Sequence, residues 1–323
     1  MHCLFDVADF LQNFHWQSGG WLSAESAELY DYQARAFVRQ MPRHDADACA
    51  LLAQVETLFL GSADAMRRRA MPFISRFAAE PRFAASAGGL RLFDAATGTG
   101  RFLSFVLDSF DNVRAVASDL SPPYLAKARE VLQPWASRVD AFLEANVEDV
   151  PQPDASFDAV TCVYLFQELP APARRAAAAE FARLLRPGGR LFFVDSAQQG
   201  DGARSGMPTA NDMALEGFPK FSHEPYYLDY TRDNLTVRHY VLRHSYMPCD
   251  DSRISCMHQE LFGAAGLRCV EEDVAWVTKV MVFEKPLDWT PPPPHAAASA
   301  AEEAPAAVEV VTPDAIVPSE AAL

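Results

Sequence analysis

The chain has 323 residues, half of them hydrophobic, which is enough to bury a sizeable core in one large domain or two small ones. Its formal net charge is −15, and six acidic residues after Pro286 leave about −9 for the rest of the chain, so the composition argues against a nucleic-acid partner. The N-terminus has no basic leader before an apolar run, and no window approaches the roughly 20 apolar residues of a membrane span, which predicts a soluble, cytoplasmic protein without a membrane partner.

Residues 1–85 are expected to form a helical N-terminal cap. Ala, Leu, Phe and Arg recur there at helical spacing, and Gly or Pro interrupts the pattern at residues 19–20, 41–42 and 71–72. These breaks favour several helices over strands.

From Leu90 onward, short apolar runs of β-like composition alternate with helical stretches. Strands that alternate with helices predict parallel βαβ units and therefore a doubly wound α/β sheet. A helix near 253–265 precedes two runs, 267–276 and 277–286, that are close enough to pair as an antiparallel hairpin at the edge of the sheet. The five earlier β-like runs are 90–96, 113–119, 139–145, 157–166 and 189–196.

Two segments break this rhythm. Residues 200–252 are rich in Gly, Pro, Tyr, His and Asp and lack clear periodicity, so we expect an insertion that serves as a lid. Residues 286–323 form an acidic tail rich in Pro and Ala. Such a composition cannot bury enough apolar surface to offset the entropy of ordering, which predicts disorder.

A turn of small residues follows the first β-like run. The run ends at Asp94, and the segment from Ala96 through Gly98 to Gly100 leads into an amphipathic helix. Small residues let a ligand approach the backbone closely, and the helix N-terminus offers unpaired N–H groups to an anionic group. A dinucleotide fingerprint, G-x-G-x-x-G, requires a third glycine where Leu103 stands, which disfavours NAD.

Asp119 ends the second β-like run, about 20 residues after the turn. An acidic residue at this place is positioned to accept hydrogen bonds from a ribose diol. The alternative is a residue of the N-cap region, ahead of the helix that starts near Pro122. Together with the glycine turn, Asp119 favours ribose binding.

Five motifs stand in order along the α/β region: DAATGTG (94–100), ASDLSPPYLAKAR (117–129), EANVEDVP (144–151), SFDAVTCVYLFQELP (156–170) and RLLRPGGRLFFVDS (183–196). They resemble the motifs of class I S-adenosylmethionine-dependent methyltransferases, and the resemblance covers residues 86–285. It implies a Rossmann-like, seven-stranded sheet with its last strand antiparallel, S-adenosylmethionine as the cofactor, and methyl transfer to a small-molecule acceptor.

The resemblance also implies roles for matching residues at the methionine end of the cofactor. Asp94, Gly98 and Gly100 would surround the amino-acid part. Ala96 stands where the family usually has the first glycine of the turn, and its methyl group would reduce the room there.

At the other end, Asp119 would hold the ribose hydroxyls and Leu120 would line the adenine. Asn146 and Val147 would reach the adenine edge. The family usually has Asp where Asn146 stands, although the Asn carbonyl can still accept a hydrogen bond.

Three residues near the end of the fourth β-like run, Val163, Tyr164 and Phe166, would face the surroundings of the methyl group. Aromatic faces suit a sulfonium cation. The alternative is that these residues belong to the core.

Residues 15–33, 61–69, 165–170, 194–201 and 223–230 resemble a narrower, bacterial-type group of small-molecule methyltransferases. That group usually has His where Gln167 stands. Either a catalytic base is missing here, or the position shapes the pocket.

The insertion holds the richest supply of candidate catalytic groups. His223, Glu224 and Tyr227 are side chains of types that deprotonate a hydroxyl or orient an amine. The alternative is a polar loop in which His and Tyr only pack and form hydrogen bonds.

The cap offers two further candidates. His15, Trp16 and Trp21 would form a second wall of an acceptor pocket, or the two Trp side chains would anchor the cap on the sheet. The run at 67–69 contains three Arg residues, one of which would meet a carboxylate; the alternative is a solvated helix face. No cluster of His, Cys, Asp and Glu has metal-ligand spacing, so we expect no metal.

Two competing functions remain from the sequence. An NAD-linked oxidoreductase is disfavoured by Leu103 and by the antiparallel terminal hairpin. A non-catalytic scaffold or sensor that binds S-adenosylmethionine shares the same turn. Convergence of Tyr164, Gln167, His223 and Tyr227 would favour catalysis.

Overall fold

The computed structural model describes residues 20–28, 30, 63–84, 88–198, 201, 257–275 and 278–291. Within these residues one seven-stranded sheet has the order β3-β2-β1-β4-β5-β7-β6. The strands are β1 (Leu90–Ala95), β2 (Val113–Asp119), β3 (Val139–Glu144), β4 (Phe157–Val163), β5 (Leu185–Ser196), β6 (Arg268–Ala275) and β7 (Thr278–Glu284).

Strands β1 to β5 pair in parallel, whereas β7 pairs antiparallel with both β5 and β6. The prediction of a doubly wound α/β sheet with an antiparallel terminal hairpin is therefore confirmed.

The helices are short before the sheet and longer within it. Residues 24–28 are also helical, and none of the described helices is long and apolar enough to cross a membrane. The helices are α1 (Ala63–Arg68), α2 (Met71–Ala78), α3 (Pro81–Ala84), α4 (Arg101–Ser109), α5 (Pro122–Val131), α6 (Ala171–Leu184) and α7 (Met257–Ala264), with 3₁₀ turns at Gly20–Leu22, Gln133–Arg138 and Phe166–Glu168.

Apolar side chains cover both faces of the sheet, because neighbouring residues of a strand point to opposite faces. In β1, Phe93 packs in a core with α6 and α7, whereas Leu92 packs on the other face with α2 and α4. In β5, Phe193 and Phe192 divide between the same two cores. Helices on both faces explain why the central strands are nearly continuous apolar sequence.

The order of the strands reverses at β1. This strand pairs with β2 on one side and with β4 on the other, so the chain extends the sheet first one way and then the other. In open α/β sheets, ligands bind outside the carboxyl ends of the strands at such a point. The loops after β1, β2 and β4 therefore meet where a ligand site is expected.

The first residues after Pro286 pack against the domain. The indole nitrogen of Trp289 donates a hydrogen bond to the Ala265 carbonyl oxygen at 3.2 Å, and the Lys285 ammonium nitrogen lies 3.8 Å from the Trp289 ring centroid. A Cβ added to Gly266 would lie 2.5 Å from the Trp289 nitrogen. Residues 292–323 lie outside the described residues, so disorder of the tail stays a prediction.

We predict that Trp289→Ala lowers the free energy of unfolding by about 2 kcal/mol, because it removes a partly buried ring from the turn before β6. The matched control is Leu287→Ala in the same segment, where the side chain is 82% exposed and a change within about 0.5 kcal/mol is expected. Urea unfolding measures both. Equal losses in the two variants would contradict the packing role of Trp289.

Candidate functional site

A cleft opens at the carboxyl ends of β1, β2 and β4. It consists of two adjoining halves that share the side of the cleft formed by Tyr30, Ala96, Gly98, Val163 and Tyr164. We call them the apolar half and the charged half. The apolar half, a cavity of about 100 Å³, is also lined by Trp21, Asp119, Leu120, Ala145, Asn146, Val147, Leu165, Glu168 and Leu169. The charged half is also lined by Arg67, Asp94, Thr97, Thr99, Arg101 and Phe102.

The turn after β1 has three residues in the left-handed region: Ala96 (φ 52°), Gly98 (φ 56°) and Gly100 (φ 77°). Glycine adopts this conformation without steric cost, whereas a side chain costs about 1–2 kcal/mol. Ala96 therefore bears a conformational cost that the sequence pattern alone did not indicate. An added Cβ on Gly98 would meet no atom within 4 Å, so the backbone there is open to the cleft.

The Asp94 carboxylate holds the turn between β1 and α4 in place through hydrogen bonds. It accepts hydrogen bonds from the hydroxyls of Thr161 and Thr97, both at 2.6 Å. Burial raises the pKa of Asp94 to about 6, although the two hydroxyl donors favour the charged form. The Asp94 carboxylate thus couples the turn to β4 as well as lining the charged half.

Asp119 joins the turns after β1 and β2. One carboxylate oxygen accepts the Gly98 N–H at 2.8 Å, and the other accepts the Ser121 N–H at 2.9 Å. Burial raises the pKa of Asp119 to about 6 against these donors. The N-cap of α5 is Ser121, whose hydroxyl accepts the Tyr124 N–H at 3.3 Å. Asp119 therefore lines the cleft, whereas Ser121 caps the N-terminus of α5.

The three arginines at 67–69 lie in different environments. Arg67 is buried and lines the charged half, where Asp64 pairs with it at 3.4 Å and with Arg101 at 2.7 Å. Arg68 is exposed, and Arg69 pairs with an aspartate of β6 at 2.9 Å. The alternative of a solvated face fits Arg68, whereas Arg67 and Arg101 bring two guanidinium groups to the N-terminus of α4.

Aromatic packing places Trp21 and Tyr30 against the start of α5. The ring of Trp21 lies 4.9 Å from that of Tyr124 and 5.7 Å from that of Tyr30, and the Ser121 hydroxyl donates to the Trp21 carbonyl. Trp21 therefore both anchors this segment and lines the cleft. His15 and Trp16 lie outside the described residues.

The end of β4 contributes Val163 and Tyr164 to both halves. Tyr164 has a φ of 54°, and its hydroxyl shares a hydrogen bond of 2.6 Å with the Thr278 hydroxyl. Burial raises the pKa of Tyr164 to about 12. Phe166 does not line the cleft; it is fully buried, with its ring 5.0 Å from that of Phe193, and so follows the core alternative.

A buried acid at the end of β5 holds the loop after β4. Asp195 accepts the N–H groups of Phe166 and Ser196, both at 2.8 Å, and burial raises its pKa to about 7. Next to it, the buried Lys279 donates to the side chains of Gln198 at 2.6 Å and Asp201 at 3.0 Å. These contacts join Gln198 and Asp201 to β7.

The candidate catalytic residues are not brought together by the described part of the chain. Gln167 accepts a hydrogen bond from the Ser196 hydroxyl and does not line the cleft. His223, Glu224 and Tyr227 lie outside the described residues, so their catalytic role stays a prediction. Among the residues that the structure describes, no group of three or more His, Cys, Asp or Glu side chains is arranged to hold a metal ion.

Eight of the nine residues that the sequence assigns to the cofactor line this one cleft. The exception is Gly100, where an added Cβ would lie 3.0 Å from Leu132, because this glycine packs the start of α4 against the end of α5. The eight are Asp94, Ala96, Gly98, Asp119, Leu120, Asn146, Val147 and Val163.

Other cleft residues were not singled out by the sequence. Arg101 was detectable as the first residue of the helix after the glycine turn. Tyr30 and Glu168 lie within the segments 15–33 and 156–170 that resemble methyltransferases, but their residue type and spacing do not distinguish them from their neighbours in those segments. Only their place in the fold brings them to the cleft.

A family model described as a methyltransferase domain matches residues 92–189, which run from β1 to the start of β5. Demethylmenaquinone methyltransferase of Thermus thermophilus is 36% identical over 105 residues, which are 32% of this chain and 46% of that protein. Ubiquinone/menaquinone biosynthesis C-methyltransferase of Syntrophotalea carbinolica is 33% identical over 114 residues, 35% of this chain and 47% of that protein. The chain thus spans less than half the length of these relatives.

Among solved structures, an O-methyltransferase family protein from Burkholderia thailandensis superposes with a TM-score of 0.45 and 17% sequence identity. The superposition covers 86% of this chain and 76% of that one.

We predict losses of stability of different size for the two glycines of the turn. Gly100→Ala is expected to lower the free energy of unfolding by about 2–4 kcal/mol, because it combines a left-handed φ with a clash against Leu132. Gly98→Ala is expected to cost about 1–2 kcal/mol, since strain is its only penalty. Urea unfolding compares them, and a larger loss for Gly98→Ala would contradict this geometry.

Proposed function

We propose that this chain, which carries a class I S-adenosylmethionine-dependent methyltransferase domain, transfers a methyl group from S-adenosylmethionine to a small-molecule acceptor. The observation that supports this most is the cleft at the strand-order reversal, with a glycine turn, a strand-terminal acid and two differently charged halves. The acidic charge of the chain argues against nucleic acid as the acceptor, and we place the reaction in the cytoplasm as part of the same proposal.

The residues of the cleft fit the cofactor from end to end. In the charged half, Arg67 and Arg101 suit the carboxylate of an amino acid, and the Asp94 carboxylate suits its ammonium group. Asp119 suits a ribose diol, beside the open backbone of Gly98. The apolar half offers walls that suit a flat nucleobase.

When bound, the cofactor supplies a methyl group on a sulfonium, which becomes a neutral thioether on transfer. The chain's own part is to align the acceptor and exclude water. Val163 and Tyr164 line both halves, so they form the wall where the halves meet. Because the pKa of Tyr164 is about 12, its phenol stays protonated at neutral pH, and we keep His223, Glu224 and Tyr227 as the candidate bases.

The acceptor class is proposed from the relatives. Two of them are named for methyl transfer in menaquinone or ubiquinone biosynthesis, so a quinone-type ring is the first acceptor to test. A non-catalytic binder would share the cofactor cleft but show no turnover. An NAD enzyme is disfavoured, because the buried Leu103 of α4 stands in place of the third glycine of the fingerprint.

We predict that the protein binds S-adenosylmethionine in calorimetric titration and that Asp119→Ala weakens this binding by about 30-fold or more, because a charge-assisted pair of hydrogen bonds is lost. Asp111→Ala, at an exposed carboxylate, is the matched control and should bind like the wild type. NADH should not bind. Binding of NADH, or no binding of S-adenosylmethionine, would overturn the proposed function.

Cofactor affinity is also predicted to depend on pH. The carboxylate of Asp119 must be ionised to accept both ribose hydrogen bonds, and its pKa is about 6. The dissociation constant of S-adenosylhomocysteine should therefore be constant above about pH 7 and rise by about tenfold per unit or more as the pH falls below 6, because Asp94, whose pKa is also about 6, is protonated in the same range. Titrations from pH 5 to 8 test this, and Asp119→Asn should remove the part of the dependence that Asp119 contributes and leave that of Asp94. A constant affinity in the wild type would contradict the role of Asp119.

A further inference from the structure

The carboxylate of Asp64 holds both arginines that line the charged half of the cleft. Its Oδ1 accepts a hydrogen bond from Nε of Arg101 at 3.3 Å, and its Oδ2 accepts one from Nη2 of the same guanidinium group at 2.7 Å. Oδ1 also accepts from Nη1 of Arg67 at 3.4 Å. Asp64 and Arg67 belong to α1, whereas Arg101 begins α4, so one side chain ties the two helices together at the cleft.

These contacts are largely shielded from solvent. The exposed fraction is 18% for the Asp64 side chain, 9% for Arg67 and 26% for Arg101. A carboxylate that meets a guanidinium group through two hydrogen bonds fixes its plane as well as its distance. The Phe105 ring supports the same group, since its centroid lies 4.7 Å from Cζ of Arg101. The guanidinium group of Arg101 is therefore held at one edge by Asp64 and supported by a ring.

The charge of Arg67 lies near the wall where the two halves of the cleft meet. Burial is the main cause that raises the pKa of the Tyr164 phenol to about 12, and the positive charge of Arg67 acts against it. Tyr164 lines both halves. The positive charge that Asp64 holds is thus within electrostatic reach of the passage between them.

Asp64 affects an anionic ligand in two opposing ways. Its negative charge weakens the attraction of the two arginines for a carboxylate. Its hydrogen bonds hold two long side chains in place, so less conformational entropy is lost when a ligand binds to them. Asp64 is not among the residues that line either half, whereas both arginines line the charged half. It therefore contacts the arginines from outside the cleft, which favours the second effect.

We propose that Asp64 is a positioning residue, which holds Arg67 and Arg101 in the geometry that recognises the carboxylate at the amino-acid end of the cofactor. The inference rests on the proposed function. It extends the cofactor site to α1, which precedes the residues 92–189 that match the methyltransferase domain. Asp64 would thus determine how well the protein distinguishes the cofactor from a nucleoside that lacks the amino-acid group.

The test compares S-adenosylhomocysteine with 5′-methylthioadenosine, a thioether of the same nucleoside without the amino-acid group, by calorimetric titration of the full chain. The wild type is expected to prefer S-adenosylhomocysteine by about 30-fold or more. In Asp64→Asn this ratio should fall by about fivefold or more, although the loss of a negative charge would by itself favour a carboxylate. Asp108→Asn, at an exposed carboxylate of α4, is the matched control and should keep the wild-type ratio.

Two further variants separate positioning from a general effect on the fold. Asp64→Glu restores the carboxylate, so it should keep more of the preference than Asp64→Asn does. In an Arg101→Gln background, which lacks the guanidinium group that Asp64 holds with two hydrogen bonds, Asp64→Asn should change the ratio by about twofold or less. Thermal unfolding verifies that each variant is folded, and Asp64→Ala replaces Asp64→Asn if that variant does not fold.

Three outcomes would overturn the inference while leaving the proposed function intact: a wild-type ratio near one, an unchanged or higher ratio in Asp64→Asn, or an equal fall with and without Arg101. If the wild type binds neither compound, the proposed function fails, and the inference with it.

Discussion

The carboxylate of Asp119 is the contact on which the cleft depends. It accepts the N–H of Gly98 from the turn after β1 and the N–H of Ser121 from the start of α5, so one side chain sets the distance between two loops that are separated by 21 residues of chain. Burying a carboxylate is costly, and each N–H donor offsets part of that cost. Loss of this group would leave two N–H donors unsatisfied as well as remove a ligand contact.

The same arrangement recurs along the sheet. Asp94 near the end of β1 receives hydroxyl hydrogen bonds from Thr97 and Thr161, and Asp195 near the end of β5 receives N–H groups from Phe166 and Ser196. Parallel strands all point their carboxyl ends to one edge, so acids at these ends gather there. Burial raises the pKa of all three above that of a free aspartate. Two of these acids, Asp94 and Asp119, line the cleft, and Arg67 and Arg101 add positive charge in the charged half only.

Much of this could be predicted because local patterns determine it. Apolar runs with helical stretches between them gave strand limits close to those observed, as with β2 at Val113–Asp119, and the terminal hairpin followed from the spacing of two runs. Asp94 and Asp119 were recognisable because they stand at strand ends, and Gly98 because glycine adopts the left-handed conformation of such a turn without steric cost. The pattern cannot distinguish a residue beside the cleft from one that packs behind it. In the structure, Gly100 packs against Leu132 and Phe166 against Phe193, and the ligand contacts expected of these two residues stay predictions.

By itself, the sequence determined the doubly wound sheet, its antiparallel hairpin and the acids at the strand ends, because alternation, turn chemistry and strand-end position are properties of neighbouring residues. Only the tertiary structure decided that Tyr30, Arg67 and Glu168 reach the same cleft. These residues come from three segments far apart in the chain, and their meeting depends on how helices and loops pack across the sheet. It also decided that Glu168 is buried, since burial arises only when distant residues surround a side chain.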